Sequence, residues 1–122
     1  MLTLPPTTRV WLAIEPCDMR RSFRGLSGLV RLLQLDPLSG HVFCFVNPRR
    51  TLLKLLVYDR SGYLILYKRL SRGTFQLPCV EPGETRIALD AATFAMMLEG
   101  IDLRSAKRRL RHEHVPQPPA DS

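Results

Sequence analysis

The apolar positions of this chain fall into short runs with two different periods. Val42-Phe43-Cys44-Phe45-Val46 is an unbroken apolar run, β-branched and aromatic, and at this length it reads as a core strand rather than a helix. Asn47-Pro48-Arg49-Arg50 ends it, because proline has no N–H to give a ladder and pushes the residue before it out of helical space. Two further strand runs follow, Leu52 to Tyr58 and Tyr63 to Leu70, joined by Asp59-Arg60-Ser61-Gly62. With Gly62 in the left-handed position a three-residue hairpin loop results, and Asp59 stands opposite Tyr63. That register pairs Val57 with Ile65, Leu55 with Tyr67, Leu56 with Leu66 and Lys54 with Lys68. Facing lysines would cost up to about 1 kcal/mol unless an anion sat between them.

The flanking segments supply the rest of a fold. Arg9 to Ile14 alternates like a strand and is ended by Glu15-Pro16. Asp18 then reads as the N-cap of a helix from Met19 to Leu33, with Met19, Phe23, Leu26, Val30 and Leu33 on one stripe. Arg20, Arg24 and Arg31 fall in a sector of roughly 40° beside that stripe. Gly25 and Gly28 weaken this helix and predict that something packs closely there. A short strand is expected around Phe75 and another from Thr85 to Leu89, after which Asp90 caps a helix carrying Phe94, Met97 and Leu98. Gly100, followed by Ile101, is its left-handed stop. The expected architecture is one α+β domain over 9–104, a mainly antiparallel sheet with the longer helix on one face and the shorter helix closing an edge. Residues 1–8 read as an extended lead-in, and 105–122 as a basic, then Pro-rich, disordered tail.

Charge adds a direction to this picture. At 122 residues the chain can build one core, burying roughly two-thirds of its unfolded surface. Its formal charge of +7 suggests a polyanionic partner. Residues 9–72 hold 12 Lys and Arg against 4 Asp and Glu, so the excess lies in the domain and not merely in the tail. Six of these cations, Arg49, Arg50, Lys54, Lys68, Arg69 and Arg72, gather at one end of the expected hairpin, with Arg20 and Arg24 as extensions of the same surface. A phosphate backbone would relieve their repulsion. The same residues could equally shield a strand edge from pairing or cover apolar surface with their stems.

Other chemistry finds little to work with. Cys17, Cys44 and Cys79 are widely spaced, there is no signal-peptide pattern, and no apolar run spans a bilayer, so a cytoplasmic protein is expected. His41 and Cys44, three apart on a strand, point to opposite faces and make a poor metal pair. Glu15, Asp18, Asp36 and Asp59 sit where caps and turns want them. No phosphate loop or nucleophile elbow is present. Neither metal, cofactor nor enzymatic activity is predicted.

Several strings, taken together, resemble a known family. They are Asp18-Met19-Arg20 with Ser22-Phe23 and Gly25-Leu26, Asp36-Pro37 with Ser39-Gly40-His41-Val42-Phe43, Arg49-Arg50, and Lys54-Leu55-Leu56. Asp59 with Ser61-Gly62, Tyr67-Lys68-Arg69-Leu70 with Arg72-Gly73 and Phe75, and Leu98-Glu99-Gly100-Ile101-Asp102 complete the set. From about residue 9 to 104 the chain is similar to the small TnpB accessory proteins of the insertion sequence sixty-six family, which are distinct from the RNA-guided nucleases of the same name. The resemblance implies a protein encoded by a bacterial mobile element beside its transposase, needed for transposition, with no established enzymatic activity. DNA, in particular the element ends, and the transposase are the implied partners. The expectation is a non-catalytic DNA-binding accessory protein. The competing expectation is an adaptor that docks on the transposase without touching DNA.

Overall fold

Strand order follows from which runs can afford burial on both faces. The computed structural model describes residues 7–101 and contains β1 (Val10–Ala13), α1 (Phe23–Leu32), β2 (Val42–Val46), β3 (Leu52–Asp59), β4 (Gly62–Arg69), β5 (Arg86–Leu89) and α2 (Ala91–Leu98). The strands form one sheet in the order β4-β3-β2-β1-β5. Only β1 and β2 pair in parallel; the other three pairings are antiparallel. The continuously apolar β2 is buried along its whole length, as its composition requires of an inner strand. The expected α+β class and mainly antiparallel sheet are therefore present. Most of the expected lead-in, the boundary at 104 and the tail over 105–122 lie outside the described residues.

Two cores result, one on each face. Phe43, Phe45 and Leu56 point to α1, where Leu26, Val30 and Cys17 close over them. Val42, Cys44, Val46, Leu53, Leu55 and Val57 point the other way, against Phe75, Leu89 and Met97 of α2. The shorter helix thus covers a face rather than closing an edge. Phe75 is fully buried but in no strand: its N–H donates to the Arg50 carbonyl at 2.7 Å, and its ring fills the core from an irregular segment. At α2 the expected signals hold. The Asp90 carboxylate accepts the Thr93 N–H at 2.7 Å, and Gly100, at φ +73°, lets the Ile101 N–H reach back to the Met96 carbonyl at 3.0 Å.

The longer helix differs from its expectation at the start. It begins at Phe23 with Ser22 in the N-cap position, because Asp18 spends its carboxylate on the Arg20 N–H (2.9 Å) and guanidinium while its carbonyl accepts the Arg21 N–H. Nor does another layer press on the helix glycines. A Cβ at Gly25 would meet only the Arg21 side chain, at 3.2 Å, and one at Gly28 would meet nothing within 4 Å.

The hairpin register is the main correction. Asp59 pairs with Gly62, so the loop has two residues, Arg60 and Ser61, and Arg60 rather than Gly62 takes the left-handed conformation at φ +54°. Every β4 residue moves by one position, and with side chains alternating along a strand each changes its neighbour. Lys54 now stands opposite Tyr67, and Lys68 opposite Leu53, on the other face of the sheet. The expected Lys54–Lys68 repulsion does not exist.

Lys68 instead caps a helix. Its Nζ donates to the Leu98 carbonyl at 2.6 Å, in the last turn of α2, and lies 3.3 Å from the Glu99 carboxylate. A cation there complements the negative end of the helix dipole. Replacing Lys68 by Glu should therefore destabilise the domain, by about 1–2 kcal/mol in chemical denaturation. Lys68→Met, which keeps the stem, should cost less than Lys68→Glu.

Candidate nucleic-acid interface

Four of the predicted cations lie on and beside one turn that local hydrogen bonds close. The Asn47 side-chain oxygen accepts the N–H groups of Thr51 and Leu52 at 2.8 and 2.9 Å, and its amide donates to the Thr51 hydroxyl at 3.1 Å. This Asx-type closure folds Pro48, Arg49 and Arg50 into a tight turn, with Arg50 at φ +60° and its N–H on the Asn47 carbonyl. The bond from Phe75 to the Arg50 carbonyl then ties the segment containing Arg72 to the loop. From the neighbouring strand, Arg69 reaches the same end: Arg49 and Arg69 line one shallow groove with Asn47, Thr51, Leu52 and Leu70. Arg49, Arg50, Arg69 and Arg72 are all exposed, and none pairs with a carboxylate among the described residues.

The other four predicted residues are not part of this group. Lys54 is buried beneath α1, where its Nζ donates to the Arg21 carbonyl at 2.7 Å and sits 5.0 Å from the centre of the Tyr67 ring. Lys68 caps α2 on the opposite face. Arg20 follows Cys17, whose N–H donates to the Val46 carbonyl, and its guanidinium is held by Asp18 at 2.7 Å. Arg24 is exposed on α1, and no contact among the described residues links it to the loop.

Sequence reasoning missed two residues here. Asn47 was read only as part of a chain break, although Asn before a Pro-containing turn is itself a closure signal. Arg86 was not singled out: it donates to the Leu33 carbonyl at the end of α1 at 2.6 Å and stacks its guanidinium 5.3 Å from the Trp11 ring centre, with its Nε buried and unbonded. Like Lys68, it completes a helix C-terminus from a strand, and nothing local in the sequence marks that role.

The match to protein families extends over nearly all of this architecture. The model of the IS66 Orf2-like proteins aligns with residues 8–108. The chain belongs to this family. It is accordingly an insertion-sequence-associated accessory protein, as the resemblance in its sequence implied. Two proteins of Sinorhizobium fredii are similar over most of their length and are both named as uncharacterised. The protein y4hO is 38% identical over 116 residues, covering 94% of this chain and 99% of its own. The protein y4jC is 32% identical over 102 residues, covering 83% and 86%. No solved structure matches the chain. Among the described residues no helix is long and apolar enough to cross a membrane.

The Asp18–Arg20 pair gives a pH-dependent handle. The guanidinium, donating twice to the carboxylate, holds the Asp18 pKa down to about 2. A depressed carboxylate pKa contributes stability above the unfolded value, near 4, and loses it as pH falls through the folded value. The Asp18 carboxyl carbon followed by NMR should thus titrate near pH 2, and in Arg20→Ala its midpoint should rise toward the ordinary aspartate range.

Proposed function

We propose that this family member is a non-catalytic DNA-binding accessory protein that holds phosphate with Arg49, Arg50, Arg69 and Arg72. The observation that carries this reading is the set of four exposed guanidiniums without an acidic partner among the described residues, on and beside a turn already ordered by Asn47. Arginine forks match phosphate geometry, and a pre-ordered loop loses little entropy when it binds. Lys54 and Lys68, whose ammonium groups already have carbonyl partners, serve the fold in this reading, and Arg20 and Arg24 contribute secondarily. The ends of the element are the proposed DNA, and the transposase is the proposed protein partner. The second reading, an adaptor docking on acidic transposase surface, uses the same four side chains.

Salt dependence separates the two. Titration of labelled duplex carrying an element end should show affinity falling with salt, with a slope of log K against log salt near −3.6 for four phosphate contacts. The double substitution Arg49→Ala with Arg69→Ala should bring that slope about 2 units closer to zero while leaving the unfolding midpoint unchanged. No binding at low salt, or binding indifferent to salt, would favour the adaptor.

A further inference from the structure

The free edge of β4 carries a sequence that reads the same in both directions. Tyr63-Leu64-Ile65-Leu66-Tyr67 is a palindrome centred on Ile65, on an eight-residue strand that no other strand pairs with on its outer side among the described residues. Leu64, Leu66 and Tyr67 are exposed by 42, 50 and 56%. Between Tyr63 and Tyr67 there is no charge, proline or glycine, the devices by which a lone edge usually avoids pairing. The opposite edge, β5, has only four residues.

The hydrogen-bond alternation decides which residues are available. The Leu70 N–H donates to Thr51 at 3.1 Å, and in the register that sets Arg69 against Leu52 these two are opposite each other. Bonded pairs recur every second residue in an antiparallel ladder, so Lys68, Leu66 and Leu64 spend their backbone groups on β3. Tyr63, Ile65 and Tyr67 therefore turn their N–H and C=O groups outward.

We propose that this edge is a homodimer interface, in which β4 of two copies pairs antiparallel about a two-fold axis through Ile65. That axis sets Ile65 against Ile65, Tyr63 against Tyr67 and Leu64 against Leu66, and makes about six ladder hydrogen bonds from the outward-turned groups. All contacts between Tyr63 and Tyr67 are then apolar or aromatic on both faces of the sheet. The antiparallel sense also keeps the Lys68-Arg69 ends of the two strands apart, whereas parallel pairing would bring them together. Because both copies use the same edge, the assembly closes at two and does not propagate as a fibre. The inference does not depend on DNA binding.

Sedimentation equilibrium on the full chain tests it, with far-UV circular dichroism as the check on folding. The wild type should sediment at twice the chain mass. In Leu64→Lys with Leu66→Lys, the axis sets lysine against lysine twice, and the dissociation constant should rise at least about tenfold. In Leu64→Glu with Leu66→Lys, the same axis sets glutamate against lysine twice, and dimerisation should recover relative to the dilysine protein. Recovery in that variant supports the Ile65 axis specifically, because a shifted register would not oppose positions 64 and 66. A monomeric wild type, a folded dilysine protein that dimerises as well as wild type, or a folded Glu/Lys protein no tighter than the dilysine one would overturn the proposal. Should the dilysine protein fail to fold, the wild-type mass and a monomeric, folded Glu/Lys protein still suffice to overturn it.

Discussion

The length of one turn governs most of what is distinctive here. Because Arg60 and Ser61 alone connect β3 to β4, Asp59 closes on Gly62 and every side chain of β4 is assigned to a face by parity. One residue more in that loop would carry Lys68 to the α1 side and Tyr67 to the α2 side. As it stands, Lys68 reaches the carbonyl end of α2, Tyr67 lies beneath the Lys54 ammonium, and Tyr63 meets both Tyr58 and Phe23. The cost is a non-glycine residue in the left-handed region, of order 1 kcal/mol, set against several satisfied polar groups and an aromatic cluster.

A sheet covered on both faces leaves little water to solvate a cation that its strands turn inward, least of all for Lys54, which is 8% exposed. Three such residues solve the problem in the same way, by finding a backbone carbonyl that no hydrogen bond of a helix or ladder uses. Lys54 takes Arg21 just before α1, Arg86 takes Leu33 just after it, and Lys68 takes Leu98 at the end of α2. Burial makes the Lys54 bond the costliest of the three to lose, since cation and carbonyl would both be left without partners, whereas the Lys68 side chain, 41% exposed, can turn to water. The same burial raises the Cys44 thiol far above its usual pKa, so that it behaves as a small apolar side chain. Arg49, Arg50, Arg69 and Arg72 at the sheet end and Arg24 on the helix surface are exposed and have no carboxylate partner among the described residues.

Local signals in the sequence were legible where the physics is local. The five-residue apolar run of β2, the Asp90 cap and the Gly100 stop each depend on neighbours a few residues away, and each is found where the chain pattern puts it. The α1 start differs because Arg20 takes the Asp18 carboxylate and the helix begins after Ser22, whose side chain makes no capping bond. The hairpin register was misread because Asp-Arg-Ser-Gly suits loops of either two or three residues, and the winner is set by packing on two faces at once. Of the eight candidate cations, Arg49 and Arg50 are neighbours in sequence, and Arg69 and Arg72 reach the same end through the β3–β4 pairing and the Phe75–Arg50 bond, which a one-residue shift does not undo. Lys54 and Lys68 depended on the register and left with it.

The proposed interface and the proposed DNA site constrain each other. Rotation about Ile65 sets the two Arg69 positions eight residues apart along the paired strands, about 27 Å at the rise of an antiparallel strand. The two basic ends would then flank a stretch of apolar edge that contributes no charge of its own. That separation is somewhat less than one turn of duplex DNA, about 34 Å, and the arginine side chains extend beyond their backbone positions. A dimer of this kind can reach phosphates on successive turns of one duplex, provided the two loops face the same side. Twist within the joined sheet rotates one end relative to the other, so the ability of both ends to grip a single straight duplex depends on the twist accumulated across the β4–β4 junction.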